Sequence, residues 1–134
     1  MPELKAAIPL LRIFDEAKAR EFYLDFLGFE VEFEHRFGDD FPVYVSLRRG
    51  DCVLHLTEHH GDATPGAHIR IGVAGLDDYC RTLAAGSYRT AKPGTPEQTP
   101  WGTREIGLTD PFGNRLTLVE TDAPPAAGAD NGTQ

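Results

Sequence analysis

The chain has 134 residues, of which 40% are hydrophobic, and its formal net charge is −8 at neutral pH. This length and composition suit one compact domain with a core of its own, whereas the acidic balance argues against nucleic acid as a partner. No stretch is apolar over the length that crosses a bilayer, and no positively charged start precedes an apolar run, so we expect a cytoplasmic protein without a membrane partner.

The first half of the chain alternates between strand and helix patterns. The apolar run Leu4–Ile13 predicts a strand, and Asp15 is a typical N-cap for a helix that Gly28 ends. Strict alternation from residue 29 to residue 37 predicts a half-buried strand. One face of that strand would carry Phe29, Val31, Phe33, His35 and Phe37. Two further strands then complete a βαβββ order.

The second half repeats the first at an offset of 62 residues. The pairs separated by this offset are Asp15 and Asp77, Leu54 and Leu116, Leu56 and Leu118, and Glu58 and Glu120. We therefore expect two copies of one module, over residues 4–58 and 67–120, within a single domain of residues 1–121. The second helix would begin at Asp77. Residues 122–134 turn to Ala, Pro, Gly and polar side chains, which predicts a disordered tail.

The second module also contains the strongest turn signal of the sequence. After a weak strand at residues 88–90, the segment Lys92–Pro100 contains too many breakers for regular structure, and it predicts a loop that brings Trp101 to the surface. Alternating strands flank Asp110–Asn114, whose residue types favour a turn. The sequence therefore predicts a hairpin with an aromatic side chain at its mouth.

Three segments carry a resemblance to a known family. They are Ala7–Leu11, the helix exit Phe22–Phe29, and Pro100–Gly102 followed by Asp110–Asn114. Together they resemble the vicinal-oxygen-chelate superfamily of glyoxalases, dioxygenases and bleomycin resistance proteins, and within it most closely the bleomycin resistance proteins. The resemblance implies an α+β fold in which two βαβββ modules form curved mixed sheets. It also implies a homodimer with two symmetric clefts.

The resemblance permits a test for a metal enzyme. Metal enzymes of this superfamily use four ligands, and the matching positions here are Ile8, His55, His68 and Thr117. A Ni, Fe or Zn centre of this kind wants three or four nitrogen or oxygen ligands, with carboxylates among them. Because only two of the four residues are histidines and none is a carboxylate, the set is incomplete. We expect no metal and no cofactor, with His55 and His68 as weak candidates.

A binding protein is the alternative that the resemblance implies. Bleomycin-type drugs combine a cationic tail with planar heteroaromatic rings, so their receptor needs acidic potential and aromatic stacking surfaces. Trp101 is the candidate for stacking, and Phe33 and Phe37 match aromatic cleft positions of the resistance proteins. Phe33 would also fit the core face of its strand. The loop and rim residues that would contact the ligand are Asp39, Asp40, Glu58, His59, His60, Thr103 and Arg104.

The sequence therefore predicts a protein that sequesters a bleomycin-like antibiotic, with no catalytic residues. Two alternatives stay open. One is a metal-dependent enzyme, either a glyoxalase-like lyase or an extradiol-type dioxygenase. The other is a binder of a different bulky small molecule.

Overall fold

The structure of the protein, a computed structural model, describes residues 1–88 and 93–121. The elements of the first half are β1 (Leu10–Arg12), α1 (Glu16–Arg20), a π-helix (Glu21–Phe26), β2 (Glu30–His35), β3 (Tyr44–Arg49) and β4 (Cys52–Thr57). Those of the second half are β5 (His68–Gly72), α2 (Leu76–Ala85), β6 (Glu97–Gln98), β7 (Thr103–Thr109) and β8 (Arg115–Thr121). None of the described helices has the length and hydrophobicity to cross a membrane. The predicted tail at 122–134 and most of the predicted strand at 88–90 lie outside the described residues.

The strands form two four-stranded sheets, in the orders β1-β4-β3-β2 and β5-β8-β7-β6. In the first sheet β1 runs parallel to β4, while β3 is antiparallel to both of its neighbours. Each sheet takes its first strand from before a helix and its other three from after it. The predicted α+β fold of paired βαβββ modules is confirmed.

By its internal contacts the chain divides into two compact units. The first unit comprises Met1–Ala67 together with Thr109–Arg115, and the second comprises His68–Leu108 and the residues from Leu116 onward. The Asp110–Asn114 turn belongs to the second module by sequence, but its contacts group it with the first unit.

The first unit buries one face of its sheet beneath the helical segment. The buried side chains of this core include Leu11, Ile13, Phe22, Tyr23, Phe26, Val45, Leu47, Leu54 and Leu56. As predicted, Asp15 caps α1, because its Oδ1 accepts a hydrogen bond from the Lys18 backbone N–H at 3.0 Å. Gly28 ends the helical segment with a φ of +86°, where a side chain would be strained and would also meet Arg49.

The start of α2 differs from the prediction. The helix begins at Leu76 with Gly75 as its N-cap, so Asp77 lies inside the first turn. The cap is supplied from β8, where Glu120 Oε2 accepts from the backbone N–H groups of Gly75 at 2.8 Å and Leu76 at 3.3 Å. A carboxylate at a helix N-terminus satisfies the free N–H groups whichever element it comes from, and the local sequence does not reveal this.

Three strand predictions are also corrected. The first strand begins at Leu10 and not at Leu4, and Leu4 itself is 97% exposed. The strand predicted as half-buried, β2, is exposed along its whole length. The loop predicted to lack regular structure contains the short strand β6, whose Glu97 and Gln98 pair with β7. All three segments lie at a sheet edge or near a terminus. There, strand pairing determines the secondary structure and burial more than the side-chain pattern does.

The Asp110–Asn114 turn is held by one buried carboxylate. Asp110 Oδ1 accepts from the backbone N–H groups of Phe112 and Asn114, both at 2.8 Å. Its Oδ2 accepts from the Tyr23 hydroxyl at 2.6 Å and from Asn114 Nδ2 at 2.8 Å. Asn114 in turn donates to the Arg12 carbonyl at 2.9 Å and accepts from the Ala67 N–H at 3.1 Å. Burial and the charge of Asp110 raise the pKa of Tyr23, so its hydroxyl stays a donor.

We expect Tyr23→Phe to lower the free energy of unfolding by about 1.5–3 kcal/mol, since it removes a hydrogen bond to a buried charge. Urea unfolding of the wild type and the variant measures this difference. Tyr44→Phe is the matched control, because it removes a hydroxyl at a half-exposed position, and it should cost less than about 1 kcal/mol. An equal decrease in the free energy of unfolding in the two variants would show that the bond to the buried Asp110 carboxylate contributes no more than that of a half-exposed hydroxyl.

Candidate functional site

The first sheet has one face covered by the helical segment and one that is not. On β3 and β4 the side chains of Val45, Leu47 and Leu56 pack beside α1. Because side chains alternate along a strand, the opposite face, called the open face below, carries the residues between them. Those residues are Tyr44, Ser46 and Arg48 on β3 and Val53, His55 and Thr57 on β4.

A β-bulge decides which residues of β2 reach the open face. Val31 pairs with Leu47 but Phe33 pairs with Ser46, so the register shifts between them. Val31 and Phe33 therefore point to opposite faces, and the prediction that they share one face is wrong. Phe33 lies on the open face and is 51% exposed, so it does not belong to the core. An inserted strand residue produces this exchange of faces.

The bulged residue Glu32 forms an ionic cluster with two neighbours on β3. Ser46 Oγ donates to Glu32 Oε1 at 2.8 Å, and Arg48 Nε donates to Glu32 Oε2 at 2.5 Å. The hydrogen bond from Arg48 is the main cause that lowers the pKa of Glu32, followed by that from Ser46. This cluster was not predicted, because strict alternation placed Glu32 on the other face. An alternation that continues through a bulge leaves no signal in the sequence.

Two sets of aromatic contacts, together called the aromatic strip, involve residues of β2, β3, β4 and their loops. In the first set His55 meets Phe33 with ring centroids 5.8 Å apart and Tyr44 at 5.2 Å, both edge to face. In the second set Phe37 meets His35 at 4.8 Å and His59 at 6.4 Å, again edge to face. Phe37 is 74% exposed, so its ring remains open to a ligand.

The loop between β2 and β3 borders a cavity of about 430 Å³. Three of the predicted ligand-contacting acids line it together, namely Asp39, Asp40 and Glu58. Arg36 also lines the cavity, but its guanidinium donates to Glu16 Oε1 at 2.6 Å. That hydrogen bond is the main cause that lowers the pKa of Glu16. His60 is exposed and contributes neither to this cavity nor to the ring contacts.

In the second unit the indole of Trp101 is hydrogen-bonded to the carboxylate of Glu105. Its ring is 68% exposed, in agreement with the predicted surface loop. The indole N–H donates to Glu105 Oε2 at 3.3 Å, and the same oxygen accepts from Arg70 at 2.6 Å and from Thr103 Oγ1 at 2.8 Å. The hydrogen bond from Arg70 is the main cause that lowers the pKa of Glu105 to about 2. The carboxylate is therefore ionised at neutral pH and holds the indole by a charge-assisted bond.

Arg104, a further predicted contact residue, has partners within the second unit. Its guanidinium makes a bidentate pair with Asp77, at 2.7 and 2.8 Å, and approaches Glu120 at 3.7 Å. This pairing ties β7 to the first turn of α2. A role for Arg104 or Thr103 in binding stays a prediction.

The four positions matched to metal ligands do not supply a suitable donor set. Within the first unit, Ile8 has no donor atom, and His55 Nδ1 is 2.6 Å from the Tyr44 hydroxyl. Within the second, His68 Nε2 is 2.8 Å from Thr117 Oγ1. Over residues 1–88 and 93–121 no three His, Cys, Asp or Glu side chains are grouped so that they could hold a metal ion. The residues therefore do not fit a metal centre of the kind that the resemblance implies.

Comparisons with known proteins agree with this fold. A family model described as glyoxalase superfamily protein matches residues 3–124. Among curated proteins, none matches this chain in sequence. Solved structures do match, and among them is the antibiotic-binding protein TnmS3 from Streptomyces sp. CB03234. It is 23% identical with a TM-score of 0.72, over 91% of this chain and 99% of that one, and this similarity shows the fold alone.

Two further matches are structures of bleomycin-binding proteins. One, from bleomycin-producing Streptomyces verticillus and complexed with copper(II)-bleomycin, is 28% identical with a TM-score of 0.65, over 88% of this chain and 97% of that one. The other, complexed with bleomycin, is 25% identical with a TM-score of 0.68, over 89% of this chain and 100% of that one. Because the family model covers most of the sequence and the fold agrees, the chain belongs to the glyoxalase superfamily.

Proposed function

We propose that this protein binds a bleomycin-like antibiotic, a bulky cationic molecule with heteroaromatic rings, and sequesters it without chemical change. The observation that carries the proposal is the exposure of aromatic rings that take no part in the core. Phe33, Phe37 and Trp101 are 51%, 74% and 68% exposed. The bleomycin complexes of two similar structures support the same ligand class.

Exposed rings of this kind are suited to stacking. A large aromatic side chain left in water forgoes about 1.5–3 kcal/mol of burial free energy, which a planar ligand can recover. Aromatic faces and edges also fix the orientation of a planar ligand. Each unit offers such a surface, the aromatic strip in the first and Trp101 in the second.

The charges favour a cationic ligand. The formal net charge of −8 attracts cations over long range. Locally, Asp39, Asp40 and Glu58 line the cavity beside the β2–β3 loop. Arg12, the other guanidinium at this cavity, lies over the Phe14 ring at 4.5 Å. We assign the cationic tail of the antibiotic to these three carboxylates.

We extend the proposal to a homodimer, because a single chain leaves apolar surface uncovered. Leu4 and Ile8 are 97% and 49% exposed in the segment before β1, and Val31 on β2 is 37% exposed. Exposed apolar side chains near both edge strands of the sheet favour association with a second chain.

Calorimetric titration of metal-free protein with copper-loaded and with metal-free bleomycin tests the proposed function. We expect saturable binding near one drug per chain with a Kd below about 1 µM. Trp101→Ala should weaken binding at least about tenfold, since it removes a stacking face.

Trp101→Phe is the matched control, because it keeps an aromatic face at the same position and should retain most of the affinity. Absence of heat with both drug forms would overturn the drug assignment and favour a different bulky ligand. Turnover of the drug would overturn sequestration.

Because an ionised Glu105 anchors Trp101, we expect the stability of the protein to depend on pH. The pKa of Glu105 is lowered from 4.5 to about 2, so its contribution to stability is complete above pH 4.5 and is lost as the pH falls toward 2. Carboxyl NMR should give a Glu105 midpoint near 2, and Arg70→Met should raise it by removing the main cause. An unshifted midpoint in the wild type would contradict the ion pair with Arg70 that keeps this carboxylate ionised beside the indole.

Size-exclusion chromatography with light scattering tests the dimer. The expected mass is about 29 kDa, twice the 14.7 kDa of the chain. Ile8→Glu should shift the protein toward monomer, because it places a charge in the apolar surface. Lys5→Glu introduces the same carboxylate without removing apolar area and should leave the dimer intact. A wild-type mass of one chain would rule the dimer out.

A further inference from the structure

A histidine on the open face is held by a single side-chain partner. His55 is half-buried on β4, and its Nδ1 lies 2.6 Å from the Tyr44 hydroxyl on β3. The two residues are not directly paired, because Tyr44 pairs with Thr57 and His55 with Ser46. The contact is therefore a diagonal one across the open face, within reach of two long side chains.

The Tyr44 hydroxyl is suited to be the donor in this contact. Desolvation, and after it the charge of Asp62, raise the pKa of Tyr44, which keeps the phenol protonated. A phenol that donates to His55 Nδ1 selects the imidazole tautomer whose hydrogen lies on Nε2.

The surroundings leave that Nε2–H group available. The carboxylate of Glu32 on the open face accepts hydrogen bonds from Ser46 and Arg48. The ring of Phe33, which meets the imidazole edge to face, offers no acceptor oxygen or nitrogen. Within the first unit the structure gives Nε2 no hydrogen-bond partner.

We infer that Tyr44 is a positioning residue that fixes His55 with Nε2–H directed outward, where it donates to an acceptor on the edge of a planar heteroaromatic group packed against Phe33. This inference rests on the proposed function and deepens it. It names the chemical class that this part of the surface takes, a ring or carboxamide with a nitrogen or oxygen acceptor. The cationic tail has its own place at the cavity lined by Asp39, Asp40 and Glu58.

The first test needs no ligand. Nitrogen-15 NMR of the ligand-free protein, followed over a pH series, reports which nitrogen of His55 carries hydrogen. We expect the Nε2–H tautomer, with an Nδ1 resonance shifted by an accepted hydrogen bond. In Tyr44→Phe that shift should disappear. A proton on Nδ1 in the wild type would overturn the inference, because Nε2 would then be an acceptor.

The second test compares two replacements of His55 in calorimetric titrations with metal-free bleomycin. A glutamine amide reaches the position of Nε2, whereas an asparagine amide reaches only that of Nδ1. His55→Gln should therefore keep the affinity within about threefold, while His55→Asn should weaken it about tenfold. Tyr44→Phe should weaken it by a smaller factor, since the donor remains but its direction is no longer fixed.

The outcomes separate this inference from the proposed function. Tight binding by the wild type together with equal affinities of His55→Gln and His55→Asn would overturn the inference alone. Failure of the wild type to bind bleomycin would overturn the proposed function and, with it, the ligand class named here. The tautomer of His55 is decided by NMR in either case.

Discussion

The first unit depends on the buried carboxylate of Asp110. This group satisfies two backbone N–H groups of its own turn, the hydroxyl of Tyr23 and the amide of Asn114. A buried charge is tolerated only when its hydrogen bonds are complete, and here they are. Asn114 extends the network to the backbone of β1 and of Ala67. The helical segment, β1 and the turn are thereby joined to one another by hydrogen bonds.

The sequence predicts the fold well because the fold rests on strong local signals. The cap at Asp15 and the turn chemistry of Asp110–Asn114 are recognisable from a few neighbouring residues, and the 62-residue repeat shows that the same order of elements occurs twice. The structure differs from the sequence-based expectations in segments whose conformation depends on residues far away in the chain. Glu120 starts α2 earlier than Asp77 would, and among the described residues the exposed β2 is an edge strand with a neighbour on one side only. No pattern within either segment contains that information.

The candidate site was predicted less completely than the fold. Trp101, Phe37 and the loop acids are predictable from the sequence because turn residues and charge make surface positions recognisable. The Glu32–Ser46–Arg48 cluster and the Tyr44–His55 contact are not predictable in this way, because both depend on strand register. A register shift of one residue exchanges the faces of a strand, so a single bulge changed the composition of the open face. The polar groups that we propose for ligand recognition on the open face are therefore brought together by strand register and not by a sequence motif.

The separation of Tyr23 and Asp110 has a consequence for how the chain acquires its structure. These two residues lie 87 positions apart, and three of the four strands of the second sheet, β5, β6 and β7, are encoded between them. During synthesis the first unit emerges with the hydroxyl of Tyr23 unpaired until the turn arrives. Closing such a long loop costs entropy before any contact rewards it, which slows folding. The first module is therefore synthesised first, but its hydrogen-bond network is completed only when residues 109–115 have been added. A chain interrupted before residue 109 would lack the turn that completes this unit.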